Sequence, residues 1–533
     1  MQIRSVDLVI LIGYLIAIVT FGCLVGLFRK RGGADEGKSY FLAGRSLKWP
    51  IIGLALFSTN ISTVHLVSLA EEGYKNGLAY GNFEWMAPFT LIILSLFFAP
   101  FYIRSNVATL PDFLERRYSK ASRNWLACLS IISAIFIHIG FSLYAGAIVL
   151  KVLFGLPLMT SIAGIAMLTG LYTMIGGLTA VVLTESIQTI VLLTGAILLT
   201  GIALFKAGGW SGLTASVDPH MFSILRPKGD PSGLPWYSIM LGYPIIGIWY
   251  WCTEQTIVQR VLGAKDEQHA RVGPLFTGFL KILPVFILVL PGLIAKALIA
   301  QGKLPAVEKS ADVYSVMITH LLPVGIAGIV AAALVAALMG AVSGALNSAA
   351  TLFSYDLYRQ IRPNSTDRQL VRVGRIVTIV AMLTAILWAP FLGRYPTIFQ
   401  GINAAICYIS PPITAVFVFG VFWKKASSFG SITTLCTGSA IGFIIFLLDF
   451  MKEKTGWNVP FMMSGFYLFC ICAVIMVIAS LMRPEELTEA RRALIWNHPL
   501  DALKDKGWPG LGNYKFLAAL LFVVMIVLYT VFH

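Results

Sequence analysis

Long apolar segments separated by short polar loops run along the whole chain. About 20 apolar residues in an α-helix cross the hydrocarbon core of a bilayer. Segments of about this length cover roughly 6–28, 50–71, 82–104, 125–154, 157–176, 180–205, 236–262, 272–299, 322–356, 372–391, 395–424, 427–450, 461–482 and 513–532. The pattern predicts an all-α polytopic membrane protein with about fourteen transmembrane helices.

One apolar segment, 50–71, contains a strongly polar run. Residues 57–65 read FSTNISTVH, and five of these nine side chains carry a hydroxyl or an amide. Irregular polar backbone persists at membrane depth only where it lines a cavity, because hydrocarbon offers it no hydrogen bonds. We expect a helix broken here, with carbonyls exposed to a cation and amides to a substrate. The alternative is a continuous helix whose Ser and Thr bond to their own carbonyls.

Two further segments contain helix-breaking residues. Gly242, Pro244 and Gly247 are predicted to interrupt 236–262, and Pro411 with Pro412 to interrupt 395–424. Breaks in the second and seventh spans lie five helices apart, which predicts two five-helix repeats, inverted because five is odd. The expected division is an N-terminal helix and basic inner loop (1–49), a first repeat (50–205), a second repeat (236–424) and C-terminal flanking helices (425–533).

Composition and charge agree with this class. The chain is 57% hydrophobic and 12% charged, against about 25% charged in soluble proteins. The net charge of +15 needs no nucleic-acid partner, because most basic residues fall in alternate loops. The positive-inside rule then places these loops in the cytoplasm and both termini outside a plasma membrane. The predicted outer loops lack an Asn-x-Ser/Thr sequon, which favours a bacterial inner membrane.

Several ionisable residues lie within the predicted spans. Such residues are costly in a membrane and mark transport pathways; here they are His65, Glu84, His138, Glu185, Glu254 and Lys281. Lys281 lies about ten residues inside its helix, too deep to reach the surface easily. Simpler explanations exist for four others: Glu84 and Glu185 near helix starts, His138 as a satisfied core histidine, and Glu254 as a structural partner of Arg260.

A sugar matches the chemistry of these groups. Polyols need hydrogen-bond donors and acceptors in one pocket, with an aromatic face for the C–H side of the ring. His65, Glu84, Lys281 and an amide supply the polar groups. Tyr250 or Trp251 supplies the aromatic face.

Short motifs between about 40 and 425 resemble those of the sodium:solute symporter family, sodium/glucose cotransporter branch. They are YFLAGR at 40–45, FEW at 83–85, GGL at 176–178, WYWCTEQ at 249–255 followed by VQR at 258–260, FLK at 279–281, LNS at 346–348 and FWK at 422–424. The resemblance implies a LeuT-like five-plus-five inverted repeat with flanking helices. It also implies transport of a sugar or polyol with sodium by alternating access.

The same resemblance implies a sugar pocket and gates. Asn60, His65, Glu84, Tyr250, Trp251 and Lys281 match the pocket positions of the branch, and Asn403 stands where it usually has a glutamine. Tyr250 would also close the inner side. Leu69, Phe83 and Phe399 match the outer hydrophobic gate.

The implied sodium site departs from the family pattern. The family uses backbone carbonyls that match Ser58, Ile61 and Ala337, together with two serine hydroxyls. Those serine positions are Gly340 and Ala341 here, neither of which has the side-chain oxygen that a hard cation needs. Ser343, Ser62 and Glu185 are the nearest possible substitutes. Three outcomes are therefore open: a rearranged sodium site, proton coupling through Glu185, or no coupling ion.

Two other functional classes fit less well. A sugar sensor without net transport would tolerate lost sodium ligands. An intramembrane enzyme could use His65 and Glu84 as acid and base, but no nucleophile motif or metal motif such as HExxH occurs. We expect a transporter and not an enzyme.

Overall fold

The computed structural model describes residues 5–28, 36–394 and 398–533, and they form an almost entirely helical protein. The principal helices are α1 (Ser5–Phe28), α2 (Trp49–Asn60), α3 (Thr63–Asn76), α4 (Lys120–Ile132), α5 (Gly140–Phe154), α6 (Leu158–Lys206), α7 (Trp236–Ile248), α8 (Gln255–Leu262), α9 (Glu267–Leu280), α10 (Leu290–Ala300), α11 (Ile326–Leu352), α12 (Asp367–Trp388), α13 (Ile398–Phe422), α14 (Ser428–Phe450), α15 (Phe461–Met482) and α16 (Tyr514–Val531). Short helices, including Asn82–Trp85, Ala87–Ile93 and Ala99–Arg104, connect α3 to α4.

The surface and the interior separate as expected for a protein in lipid. Large apolar side chains stand exposed on the outer helices, among them Phe205, Leu387 and Phe443. A continuous apolar surface of this kind marks contact with a membrane. The helical stretch that begins with α11 is the central one, since 89% of the residues in its most apolar segment are buried within the protein.

Ten helical stretches in the described residues are long and apolar enough to cross a membrane, so the predicted count of fourteen is not confirmed. Part of the difference lies in α6, which has 49 residues and would be roughly 74 Å long if straight. It contains the predicted spans 157–176 and 180–205, separated by a kink at Gly177 (φ 62°, ψ −158°). A Cβ at Gly177 would lie 2.5 Å from the Tyr40 carbonyl oxygen.

The predicted breaks are partly correct. The polar run 57–65 does break its helix, since Ile61 and Ser62 are extended between α2 and α3. The break in 236–262 lies at Glu254 (φ −91°, ψ 124°). Gly242, Pro244 and Gly247 lie inside continuous α7, and Pro411 with Pro412 inside continuous α13. These prolines do not end their helices, because a proline removes one backbone hydrogen bond while packed neighbours hold the rest.

The first and last described helices are each held by hydrogen bonds to distant segments of the chain. Asp7 Oδ1 accepts hydrogen bonds of 2.8 Å from the backbone N–H groups of Gly325 and Gly328. At the other terminus, the Phe532 carbonyl accepts from the Ile224 N–H at 2.7 Å. Basic loops meet at one face, where Arg104 pairs with Glu267 at 2.8 Å and Asp505 at 2.6 Å.

Arg117 holds the C-terminal end of α13 at this basic face. Its buried guanidinium donates to the carbonyls of Gly420 (2.7 Å), Trp423 (3.1 Å) and Ala426 (3.1 Å). The last carbonyls of a helix have no partner within the helix and carry its negative dipole end. A buried cation is therefore stabilised there without a carboxylate.

We expect Arg117→Ala to lower the free energy of unfolding by about 3 kcal/mol or more, because it leaves buried carbonyls without donors. The measurement is thermal unfolding of the detergent-solubilised protein. Arg116→Ala is the matched control, since Arg116 is exposed and pairs with Asp112 within its own helix, an arrangement worth at most about 0.5 kcal/mol. Equal effects of the two substitutions would contradict the assignment.

Candidate functional site

The break between α2 and α3 fixes the first polar group of the site. Ser62 N–H donates to His65 Nδ1 at 3.2 Å, and Ser62 Oγ lies 3.0 Å from the same atom. A backbone N–H is always a donor, so Nδ1 is the acceptor and neutral His65 carries its proton on Nε2. His65 lines the central cavity and offers it a hydrogen-bond donor.

A further helix interruption, at the end of α9, positions Lys281. The helix ends at Leu280, and Lys281 with Ile282 forms a turn before Pro284. Proline cannot donate a backbone hydrogen bond and crowds the carbonyl four residues earlier. Within this turn the Ile282 carbonyl accepts a hydrogen bond from Trp85 Nε1 at 3.1 Å.

Lys281 is the centre of a buried polar network. Its ammonium forms an ion pair with Glu84 and donates to Asn60 Oδ1 at 2.5 Å. Asn60 Nδ2 in turn donates to Tyr250 Oη at 3.1 Å. The network joins α2, the helix after α3, the turn after α7 and the end of α9, so it requires all four to be in place.

Aromatic rings lie against these polar groups. Tyr250 and Trp251 contact each other edge-to-face, with ring centroids 5.2 Å apart. The Lys281 ammonium lies 5.7 Å from the Trp251 ring centroid, within the range of a cation–π attraction. A cation and aromatic faces thus share one site.

A cavity of about 150 Å³ lies beside this network. Its lining includes the predicted pocket residues Asn60, His65, Glu84, Tyr250, Trp251 and Asn403, and the predicted gate residues Leu69 and Phe83. Lys281 is fully buried behind the lining. The side chain of the predicted gate residue Phe399 lies outside the described part of the structure.

Sequence reasoning missed Tyr243 in this cavity and underestimated His138. Tyr243 donates to the Phe83 carbonyl at 2.9 Å and lies against the Phe83 ring. His138, predicted as a satisfied core histidine, lines the cavity. Its buried Nε2 has no hydrogen-bond partner among the described residues and lies 3.8 Å from Glu254 Oε1.

A second buried ion pair lies next to the cavity, between Glu185 of α6 and Arg260 of α8. Arg260 donates to Glu185 through Nη2 at 2.5 Å and Nε at 3.2 Å, and Thr59 Oγ1 donates to Glu185 at 3.0 Å. Both residues are 0% exposed. A Cβ at Gly344 would lie 2.6 Å from Arg260 Nη2, so the pair needs glycine at that position.

The expected pairing of Glu254 with Arg260 is wrong. Glu254 is the N-cap residue of α8, where its carboxylate accepts from Ile257 N–H at 3.1 Å and Thr256 Oγ1 at 3.0 Å. A carboxylate is stabilised at a helix N-terminus. Arg260 lies two turns further along α8 and reaches Glu185.

Unpaired side-chain oxygens converge where α2, α6 and α11 meet at Gly340. A Cβ at Gly340 would lie 2.6 Å from Ser58 Oγ, 3.2 Å from Gln188 Oε1 and 3.4 Å from the Ser58 carbonyl oxygen. Ser58 Oγ and the Gln188 amide are buried and have no partner at hydrogen-bond geometry in the described chain, and the Gln188 amide faces the hydroxyls of Tyr14 and Tyr172. Ser343 Oγ donates to the Gly340 carbonyl at 3.1 Å.

Gln188 is a second residue that sequence reasoning missed. It lies one turn after Glu185 on α6, and i, i+3 spacing puts both residues on the same helix face. An amide in an otherwise apolar span was the available signal.

Comparison with known proteins gives a consistent result. Residues 40–438 match the sodium:solute symporter family. The sodium/glucose cotransporter of Vibrio parahaemolyticus is 35% identical over 498 residues, covering 89% of this chain and 90% of that protein. Sodium/myo-inositol cotransporter 2 of Mus musculus is 34% identical over 490 residues, covering 86% of this chain and 72% of that protein.

Solved structures share the fold. A Na⁺-coupled sialic acid symporter in a substrate-bound, outward-open state superposes with a TM-score of 0.78 at 22% identity, covering 91% of this chain and all of that one. Mhp1, a nucleobase-cation-symport-1 family transporter, gives a TM-score of 0.55 at 13% identity, covering 85% and 96% of the two chains. The expected LeuT-like helical transporter fold is confirmed.

We expect Glu84→Gln and Lys281→Met each to lower the free energy of unfolding by about 3–5 kcal/mol, because each leaves one buried charge without its partner. The double variant should recover most of that loss, since it removes both charges together. Thermal unfolding of the four proteins measures the coupling. A double variant as unstable as the sum of the single variants would show that the two side chains do not act as a pair.

Proposed function

Because this chain belongs to the sodium:solute symporter family, we propose that it carries a sugar or polyol across the membrane together with sodium, by alternating access. The observation that carries the proposal is the Glu84–Lys281–Asn60–Tyr250 network beside a cavity between the two helix breaks. Relatives named as sodium/glucose and sodium/myo-inositol cotransporters support this substrate class. They are transport proteins, so transport and not catalysis is the activity.

In this proposal each polar group has a role toward the substrate hydroxyls. Glu84 and the Asn60 oxygen accept hydrogen bonds, while His65 Nε2 donates one. Lys281, behind the lining, holds Glu84 and Asn60 in place through its ion pair and hydrogen bond. Trp251 and Tyr250 face the C–H surface of the ring. Asn403 lines the same cavity and would read the remaining hydroxyl, with a shorter reach than a glutamine.

Tyr250 is the proposed inner gate. Its hydroxyl is bonded to Asn60, so the residue that would contact the sugar also connects α2 to the second repeat. The cavity continues past Tyr250 to His138, Thr256 and Ile257. A rotation of Tyr250 would therefore open a path along the inner half of the protein. Leu69 and Phe83 would close the opposite side, together with Phe399 in the family pattern.

The proposed sodium site is rearranged, with oxygens from α2 and α6 in place of the serine pair of the family. Ser58 Oγ occupies the space that a side chain at position 340 would need, and Gln188 Oε1 lies beside it. With the carbonyls of Ser58, Ile61 and Ala337 they would give sodium an all-oxygen environment. The absence of another partner for Ser58 Oγ in the described residues supports this assignment.

The other substitutes considered from sequence have different roles in this proposal. Ser343 would orient the Gly340 carbonyl. Glu185 would hold Arg260 and Thr59 beside the site, since both its oxygens already accept hydrogen bonds. Proton coupling through Glu185 finds no support in the relatives named above, which are sodium cotransporters.

We also propose an orientation. The basic loops would face the cytoplasm by the positive-inside rule, and both termini would face outside. The Vibrio relative supports the inner membrane of a bacterium. The repeats would keep the boundaries 50–205 and 236–424 predicted from sequence.

In proteoliposomes we expect an inward sodium gradient to drive accumulation of labelled glucose, galactose or myo-inositol above equilibrium, and choline in place of sodium to abolish it. Lys281→Ala and Glu84→Ala should abolish uptake, because each breaks the network that lines the cavity and leaves the other charge unpaired. The control is Lys296→Ala, a lysine of α10 outside the network.

Equal uptake in sodium and choline, without accumulation, would contradict sodium coupling. Normal uptake in both pocket variants would contradict the pocket. A proton gradient that alone drives accumulation would assign the coupling ion to the proton.

We expect Ser58→Ala and Gln188→Ala to raise the half-saturating sodium concentration at least about tenfold, since each removes one oxygen ligand. Gly340→Ser should impair transport while Ser58 is present, because the new side chain meets Ser58 Oγ. Combined with Ser58→Ala it should restore sodium affinity. Ser186→Ala is the control, as Ser186 bonds to its own helix backbone. Unchanged sodium dependence in both ligand variants would contradict the site.

A further inference from the structure

A polar crevice of about 450 Å³ lies at the basic face, away from the sugar cavity. Four arginines and two aspartates line it: Arg45, Arg116, Arg123, Arg359, Asp112 and Asp367. The remaining lining includes Tyr355 and Asn106. Positive charge thus exceeds negative charge in its wall.

Both aspartates are already engaged. Asp112 pairs with Arg116, and Asp367 accepts from the Gly37 N–H at 2.9 Å. Arg123 pairs with Asp356 at 2.8 Å and Glu115 at 2.5 Å, neither of which lines the crevice. Among the lining arginines, Arg116 and Arg123 thus form ion pairs with carboxylates.

Arg45 and Arg359 are the two lining arginines without a carboxylate partner in the described chain. Arg45 Nη2 donates to the Val107 carbonyl at 2.8 Å, but its buried Nε has no hydrogen-bond partner there. Burial lowers the pKa of the Arg45 guanidinium below its ordinary value. The Arg359 guanidinium lies 5.8 Å from the Tyr355 ring centroid. An anion between them would satisfy both cations.

The backbone that positions Arg45 is unusual. Ala43 (φ 50°), Gly44 (φ 62°) and Arg45 (φ 52°) are three consecutive left-handed residues. L-residues adopt this conformation singly and not in succession, because Cβ approaches the following carbonyl oxygen. Asn106 (φ 55°) completes the set, so all three non-glycine residues with positive φ in the described chain lie in or next to the crevice.

Such strain is retained where it serves a function. The left-handed turn belongs to the YFLAGR motif at 40–45, for which the transport mechanism has no other use. Its effect is to place the half-buried Arg45 side chain in the wall of the crevice that Arg359 also lines.

We propose that this crevice binds a phosphate group, held between the guanidinium groups of Arg45 and Arg359 with the Tyr355 hydroxyl beside them. Guanidinium groups present paired N–H donors that match phosphate oxygens. A phospholipid headgroup and free phosphate share this chemistry, and the experiment separates them. The site is independent of the sugar and sodium sites.

The test measures thermal unfolding of the full-length protein in detergent, at constant ionic strength, with inorganic phosphate or dioctanoyl phosphatidic acid as the probe. A ligand that binds only the folded protein raises the unfolding temperature in a saturable way. We expect a saturable rise, with the half-saturating concentration at least about tenfold higher in Arg45→Gln and in Arg359→Gln, because each loses a charged donor.

Arg362→Gln is the matched control, since Arg362 is exposed on the same loop and does not line the crevice. Arg359→Gln alters an exposed side chain and keeps the test valid if Arg45→Gln folds poorly. A response to both probes assigns a general phosphate site, and a response to the lipid alone assigns a headgroup site. No saturable response to either probe, or equal weakening by Arg362→Gln and Arg359→Gln, would overturn the proposal.

Discussion

Every charge inside this membrane protein must have its partner within the protein, because hydrocarbon supplies none. The Glu185–Arg260 pair is the clearest example. It connects α6 to α8, accepts a third hydrogen bond from Thr59 of α2, and lies against α11 at Gly344. One helix beside each break, α2 and α8, thus meets α6 and α11 at one buried charge pair, and loss of either partner would leave the other charge buried and unpaired.

The two breaks and the two ion pairs are parts of the same arrangement. A broken helix exposes backbone groups that need partners, and the side chains that supply them also bring charges together. Glu254 caps α8 after one break, and Ser62 with His65 caps α3 after the other. The central cavity lies between these two capped helix starts. The irregular backbone therefore creates the site and is stabilised by it.

Much of this arrangement could be predicted from the sequence. The polar run 57–65 located the break between α2 and α3, and the depth of Lys281 in an apolar span indicated a buried partner. Pairings between distant segments were harder, because they depend on how helices pack and not on local pattern. The predicted ion-pair partner of Arg260 was therefore Glu254, its neighbour in sequence, whereas the structure pairs it with Glu185.

The Gly340 region shows the same limit. The missing hydroxyls at 340 and 341 were evident from the sequence, yet the oxygens that face the gap come from Ser58 and Gln188 on other helices. Pro411 and Pro412 did not mark a helix break, because packing against neighbouring helices overrides a local helix breaker.

The polar network also affects how tightly a substrate could bind. Asn60 already bonds to Lys281 and Tyr250, so a substrate bound at the proposed site would exchange hydrogen bonds there and gain few additional ones. Such an exchange would keep the binding affinity modest, and modest affinity lets a carrier release its substrate quickly.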